Sequence, residues 1–347
     1  MGYRVAVVGA TGAVGRRITA ILAERAFPVD ELIPLASSRS AGSKIEFRGE
    51  QIEVRELTDT SIAHADIALA SAGRTVSKRF LRSAAEAGVT CIDNSSAFRM
   101  DEDVPLSVPE VNPEALQGSP PPRLIAVPNC TTITAVLPLG PLHQEAGLTG
   151  LVLSSYQSVS GAGQRGIREL QEQVDALDGD LETELAVPDA DTLLRGDTFG
   201  KPIAFNAVAK IGAFQDDGFT GEEVKMMAEP RKILSAPDLE VAATSVRVPT
   251  VVGHGVSIAA TFSRPITVEE ARAILAEAPG VELRDDPANG VYPSPVESAG
   301  LDVALVGRIR QTPGRSDQLL LFSCADNLRK GAALTAVQIA ELLIPRT

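Results

Sequence analysis

The chain of 347 residues has no tryptophan, three histidines and only three cysteines, Cys91, Cys130 and Cys324. An odd number of widely spaced cysteines gives neither a disulfide framework nor a zinc knuckle. No metal site is expected, and each cysteine reads as a free thiol of a reducing compartment. Long apolar runs are also missing: stretches such as 319–322 fall far below the roughly 20 residues that a membrane-spanning helix needs. The opening MGYRVAVVGATG has no signal-type apolar core and reads directly as a strand and a turn, so a cytoplasmic location is expected. Positive charge is in deficit, with 32 Lys and Arg against 45 Asp and Glu and a net charge of −13. That excludes a basic footprint for nucleic acid and disfavours docking on anionic lipid. A small anionic substrate remains compatible if local arginines and lysines override the global field. No internal repeat or low-complexity tract is present.

With 44% of its residues hydrophobic, a chain of this length suffices for two domains, each burying its own core. Residues 4–8 (RVAVV) form a short apolar run. Residues 13–25 then show helical spacing, with Val14, Ile18, Ile21 and Leu22 on one side. Further strands are expected at 31–36, 66–71 and 89–95, with a helix over 77–88. Strands alternating with helices predict a parallel sheet. After the stiff loop GSPPPR at 118–123, one more strand leads to a helix starting near Thr131. From about 150 the strands lengthen (151–160, 241–250, 255–262, 302–310 and 319–325), which predicts a mixed or antiparallel sheet. The acidic stretch 174–200 reads as a surface excursion, and a helix over 327–344 closes the chain. The fold class is therefore α/β, a Rossmann-like domain followed by a second α+β domain.

Gly9, Gly12 and Gly15 lie in GATGAVG, between the first strand and the first helix. Glycines there permit a tight turn and close approach of a pyrophosphate, for which the helix N-terminus supplies N–H donors. An NAD site usually places a carboxylate about 20 residues further on, at the end of the second strand. Here Ser37, Ser38, Arg39 and Ser40 follow that strand. Hydroxyls and a guanidinium suit a 2′-phosphate, so NADP is expected.

Cys130 sits in VPNCTT, with Asn129 as a plausible helix cap. A thiol at a helix N-terminus is expected to have a lowered pKa and so to supply a nucleophilic thiolate. Cys91 and Cys324 lie inside apolar strand segments and read as core residues. His64 and His143 read as surface histidines. His254, in the glycine-flanked bend VVGHGV, can reach into a cleft and is expected to titrate near neutral pH. Arg99, Lys225 and Arg247 are candidate anion binders, Arg247 because it stands between Val246 and Val248 in a strand.

The stretches GATGAVG, SSRSAGSK, DNSSAFRMDEDVPLSVPEVN, VPNCTT, SYQSVSGAG, EEVKMMAEPRKIL, RVPTVVGH and DNLRKGAALTAVQIAE resemble the aspartate-semialdehyde dehydrogenase family over the whole chain, in its order and spacing. The resemblance implies reductive dephosphorylation of β-aspartyl phosphate to aspartate-β-semialdehyde through a Cys130 thioester, in lysine, threonine, methionine and isoleucine biosynthesis. It implies Gln157 as the residue orienting the intermediate and His254 as acid/base. It implies Arg247 for the substrate carboxylate, Glu222 for its amino group, and Arg99 with Lys225 for phosphate. Thr11, Ala13, Val14, Ser71, Ser160 and Gly161 join the glycine and serine turns as cofactor contacts, and Asn327 lies near the nicotinamide. A domain of 1–127 plus 327–347 binding NADP, one of 128–326 for catalysis and dimerisation, and a homodimer (with a tetramer left open) follow from the same resemblance. Thr335 and Pro230 depart from the common pattern beside these motifs, outside the named roles.

Two rivals stay open at this level. One is an N-acetylglutamyl-phosphate reductase on the same architecture, whose blocked amine needs no glutamate at Glu222. The other is a non-catalytic NADP-binding module in which Cys130 is structural.

Overall fold

The computed structural model describes residues 2–177, 179 and 196–344; most of the acidic stretch 174–200 lies outside the described residues. The first part alternates strands and helices. In order these are β1 (Tyr3–Val8), α1 (Ala13–Glu24), β2 (Val29–Ala36), the hairpin β3 (Lys44–Phe47) and β4 (Glu50–Glu53), β5 (Arg55–Glu56), α2 (Asp59–Ala63), β6 (Ile67–Ala70), α3 (Arg74–Glu86), β7 (Thr90–Asp93) and β8 (Leu124–Ala126). Strands β5-β2-β1-β6-β7-β8 form one parallel sheet. Its central strands are buried on both faces, which is why β1 and β6 read as unbroken apolar runs. Strand order reverses between β1 and β6, and a crevice opens beyond their carboxyl ends.

The second part holds α4 (Cys130–Ala146), β9 (Leu148–Gln157), α5 (Gln164–Asp175), α6 (Gly221–Ile233), β10 (Glu240–Arg247), β11 (His254–Phe262), α7 (Val268–Ala276), β12 (Val281–Leu283), β13 (Ala304–Gln311) and β14 (Gln318–Ala325). The sheet order is β10-β9-β11-β14-β13-β12, parallel at its two ends and antiparallel between. Helix α4 is buried almost all round and packs on this sheet. Its Pro138 has no N–H for the carbonyl of Thr134, and the Ser323 hydroxyl donates to that carbonyl instead at 2.7 Å. The opposite sheet face is open: Val152 and Tyr156 on β9 are 55% and 40% exposed. The chain closes with a π-turn at Arg329–Ala333 and α8 (Leu334–Leu343), which returns to pack on α1 and on β6 and β7. Among the described residues no helix is long and apolar enough to cross a membrane.

Candidate active site

Strand register gathers the site. In the parallel pair β9–β10, Gln157 stands beside Arg247. In the antiparallel pair β11–β14, His254 stands beside Ala325, two residues before Asn327. Strand β11 also runs antiparallel to β9, with Gly255 beside Tyr156. The ends of β9, β10 and β14 and the start of β11 therefore share one sheet edge, and Cys130 opens the helix packed on that sheet.

Asn129 caps α4, its Oδ1 accepting from the N–H groups of Thr131 (2.8 Å) and Thr132 (3.3 Å). The cap is itself held. The Asn129 N–H donates to Glu229 at 2.7 Å and its Nδ2 to Glu222 at 2.9 Å. Glu222 also accepts from Gln157 Nε2 at 3.1 Å and from Lys225 Nζ at 3.0 Å. Burial alone would push Glu222 up, but Lys225, Gln157 and Asn129 hold it below the usual carboxylate range. Cys130, half-buried, departs from the expectation of a lowered pKa. Burial first, and the Glu222 carboxylate second, push its thiol up to about 11, against the pull of Arg99, Arg247 and Lys225. Desolvation of a thiolate here outweighs three nearby cations. Gly331 passes directly over it: a Cβ at that position would lie 2.8 Å from the Cys130 Cβ.

His254 is fully buried. Its Nδ1 faces the backbone N–H of Ser158 at 3.1 Å and the Ser158 hydroxyl at 3.0 Å, while Nε2 is buried without a partner. It lies behind Gly161, where a Cβ would stand 3.3 Å from Nε2 and 2.7 Å from Nη1 of Arg247. The expectation of a histidine titrating near neutrality is corrected. Burial first, and then Arg247, push it down to about 3, although Glu222 and a backbone bond at Gly253 favour the charged ring. His143 is likewise half-buried, accepting the Leu148 N–H at the end of α4, whereas His64 is exposed. Cys91 and Cys324 are buried, and burial pushes each to about 12.

Arg247 is 5% exposed; its Nη1 donates to the Ser158 carbonyl at 2.7 Å, and its Nε is buried without a partner. The Phe199 ring covers the guanidinium at 5.7 Å. Arg99 is more committed to the fold than a phosphate-binding arginine would be. It donates to the carbonyls of Val127 (2.9 Å) and Asn94 (2.8 Å) and to Glu229 (2.9 Å). Two of its five N–H groups are left for the cleft it lines. Glu229 and Ser158 were not singled out in the sequence; the site partners of each lie 89 to 169 positions away, so no local pattern marks them.

Three clefts follow one another, and the second and third meet at the nucleophile. The first is lined by Gly9, Thr11, Gly12, Ser37, Ser38 and Ser71. The second shares Gly12 and Ser71 with it and continues past Ala13, Val14, Ser160, Asn327 and Gly161 to Cys130. The third shares Cys130 and Gly161 and holds Gln157, Glu222, Lys225 and Arg247. The crevice fits a dinucleotide. Gly9 has φ +84°, a Cβ on it would lie 2.6 Å from the Ser71 carbonyl, and no side chain caps the N-terminus of α1. Gly15 lines none of these clefts; a Cβ there would meet the Gly9 carbonyl at 2.2 Å, so it serves helix packing. Arg39 is exposed and is not brought into the wall, which instead carries Arg79, a residue passed over in the sequence. Asn327, expected near the nicotinamide, accepts from Ser158 Oγ (3.1 Å) and the Gly253 N–H (3.0 Å), and its Nδ2 donates to Ser160 (3.0 Å).

Residues 4–119 match the family model for the semialdehyde dehydrogenase NAD binding domain, and 139–330 that for its dimerisation domain. The chain is 46% identical to an aspartate-semialdehyde dehydrogenase of Aquifex aeolicus, covering 99% of this chain and 98% of that one. It is 49% identical to that of Corynebacterium melassecola, covering 98% and 99%. A crystal structure of aspartate semialdehyde dehydrogenase II complexed with ASA from Vibrio cholerae superposes with a TM-score of 0.90 at 41% identity, over 99% and 98% of the two chains.

Proposed function

The chain belongs to the aspartate-semialdehyde dehydrogenase family, and on that premise we propose that it reductively dephosphorylates β-aspartyl phosphate, reversibly, to aspartate-β-semialdehyde with NADPH. This is a step of lysine, threonine, methionine and isoleucine biosynthesis. The observation that carries the reading is the meeting of the glycine-turn crevice and a cation-lined cleft at Cys130.

Cys130 Sγ attacks the acyl carbon to form a thioester, with phosphate leaving. NADPH, when bound along Gly9, Thr11, Gly12, Ala13, Val14, Ser37, Ser38, Ser71, Ser160, Gly161 and Asn327, supplies the hydride. Arg247, which lines the third cleft and whose buried Nε has no protein partner, holds the substrate carboxylate. Glu222 takes the amino group, exchanging a protein partner for it, and Lys225 with the remaining donors of Arg99 takes phosphate. Gln157 orients the acyl group, and His254, behind Gly161, faces the oxygen that gains charge. Gln157, Lys225 and Arg247 in the third cleft, with Arg99 in the cleft that joins it at Cys130, explain how a chain of net charge −13 binds an acidic substrate.

Residues 1–127 with 327–347 form the cofactor domain, a division supported by the return of α8 onto α1 and β6. Residues 128–326 form the catalytic and dimerisation domain. The open face of its sheet, where Tyr156 meets Phe322 with ring centroids 6.3 Å apart, is the surface on which a homodimer forms. The compartment is the cytoplasm. Arg247 Nε and His254 Nε2, both buried and unpartnered, disfavour the non-catalytic module, since unpaired buried polar atoms are costly without a ligand. The test is phosphate-dependent reduction of NADP with aspartate semialdehyde against N-acetylglutamate semialdehyde. Preference for the first is expected; preference for the second overturns the assignment.

A further inference from the structure

Helix α6 grips the residue at position 99 twice. Glu229 accepts from the Arg99 guanidinium at 2.9 Å, and the Lys232 ammonium donates to the Arg99 carbonyl at 2.9 Å. Lys232 also donates to the carbonyls of Asp101 at 2.7 Å and Val104 at 2.8 Å. An ammonium has three N–H groups, so Lys232 is spent in full on this loop and has none left for a ligand. Two turns shape the loop itself, the Asp101 N–H donating to the Phe98 carbonyl and the Val104 N–H to the Asp101 carbonyl. On its outer side Arg82 of α3 pairs with Asp101 at 2.9 Å and Asp103 at 2.6 Å, exposed contacts of little energy. Glu222, Lys225, Glu229 and Lys232 recur at spacings of three and four, which puts them on one face of α6. Glu222 and Glu229 hold Asn129, the cap before Cys130. Glu229 and Lys232 hold Arg99, which comes from the loop after β7. Lys225 stands one turn before Glu229, about 6 Å along the helix axis.

We infer that Lys232 is a positioning residue for phosphate: with Glu229 it clamps Arg99 to α6, so that the free N–H groups of Arg99 and the Lys225 ammonium keep one spacing for one oxyanion. This rests on the phosphate contacts proposed above for Arg99 and Lys225. Arg99 spends three of its N–H groups on Val127, Asn94 and Glu229, which leaves one on each terminal nitrogen. Glu229 sets the guanidinium end of the residue and Lys232 the backbone end, and both stand on the helix that carries Lys225. One helix therefore supplies one phosphate cation directly and fixes the other through its neighbours. A loop displaced by about an ångström would still fold, but it would misalign the guanidinium with the oxyanion. Guanidinium contacts to an oxyanion depend on that geometry, so phosphate is the ligand that suffers. The substrate carboxylate, held by Arg247 on β10, and the dinucleotide, held along the glycine turn, do not run through Lys232.

The test is Lys232→Met, which keeps the apolar stem and removes the three donors. In phosphate-dependent NADP reduction its KM for phosphate should rise at least about tenfold, while the KM for aspartate semialdehyde and the affinity for NADP stay within about twofold. Arg82→Gln loosens the same loop from its outer side and should leave the phosphate KM within about twofold. An unchanged phosphate KM in Lys232→Met, an equal rise in all three constants, or an equal rise in Arg82→Gln overturns the inference. Binding of inorganic phosphate to the resting proteins, followed by phosphorus-31 line broadening, gives the same comparison without turnover. Weaker phosphate binding by Lys232→Met is expected there even if the chain prefers another semialdehyde, so the inference and the substrate assignment fail separately. Should Lys232→Met not fold, Lys232→Gln, which keeps an amide donor on a shorter stem, is read in the same way, with the same results expected and the same results overturning the inference.

Discussion

Arg99 and Glu229, 130 positions apart, form an ion pair of 2.9 Å with side chains 8% and 1% exposed. The other Glu229 oxygen accepts the Asn129 N–H at 2.7 Å, so this pair sets the cap on which Cys130 stands. Removing one partner of a buried pair leaves the other charge uncompensated. Glu229→Ala should therefore lower stability by about 3–5 kcal/mol in urea unfolding. A loss below about 1 kcal/mol would place the pair among surface-like contacts.

Gly161 has no side chain because two functional groups occupy the space. A Cβ would lie 2.7 Å from Arg247 Nη1 and 3.3 Å from His254 Nε2. Gly161→Ala should leave the fold intact and lower kcat/KM at least about tenfold, equivalent to roughly 1.4 kcal/mol of transition-state stabilisation. Steady-state kinetics beside a thermal melt decide it: wild-type kcat/KM in a folded variant contradicts the placement of His254 behind this residue.

The Cys130 thiol, pushed to about 11, should be almost wholly protonated at neutral pH in the ligand-free protein. Only the thiolate is alkylated. The iodoacetamide rate at Cys130 should rise about tenfold per pH unit and still be rising at about pH 9.5. A plateau between about pH 7 and 8 would show that the helix N-terminus and the cations prevail over burial.

Arg39 is exposed at the lip of the crevice, while Arg79 is part of its wall. If the guanidinium closes over a 2′-phosphate, Arg39→Ala should weaken NADP roughly tenfold or more and leave NAD binding nearly unchanged. Fluorescence titration with both nucleotides checks this; equal weakening of the two contradicts the expectation.

Residues whose role is set by local chemistry were legible. The run Tyr3–Val8, the glycine turn and the apolar stripe of α1 declare a strand, a phosphate loop and a helix by period and position. Asn129 before Cys130 declares a cap. Residues whose role is set by distant partners were not. Ser158 falls at the end of the expected strand 151–160 and Glu229 within EEVKMMAEPRKIL, and neither shows a role until β11 brings His254 onto the first and Arg99 reaches the second. The pKa directions of Cys130 and His254 depended on depth of burial, which neither a turn position nor flanking glycines reveal. Helix α4 carries Pro138 and Pro141 in its interior, a pattern that argues against a continuous helix; the Ser323 hydroxyl that satisfies the freed Thr134 carbonyl comes from β14.

The central claim is that turnover passes through a covalent bond to Cys130. Cys130→Ser keeps the shape and replaces the thiol by an alcohol of far higher pKa, a far weaker nucleophile at neutral pH. The most direct test is the rate of phosphate-dependent NADP reduction by Cys130→Ser with aspartate semialdehyde, measured beside its NADP affinity. Activity below about a thousandth of wild type with unchanged NADP binding is predicted. A variant that kept about a tenth of wild-type turnover would contradict the thioester mechanism and the functional reading built on it.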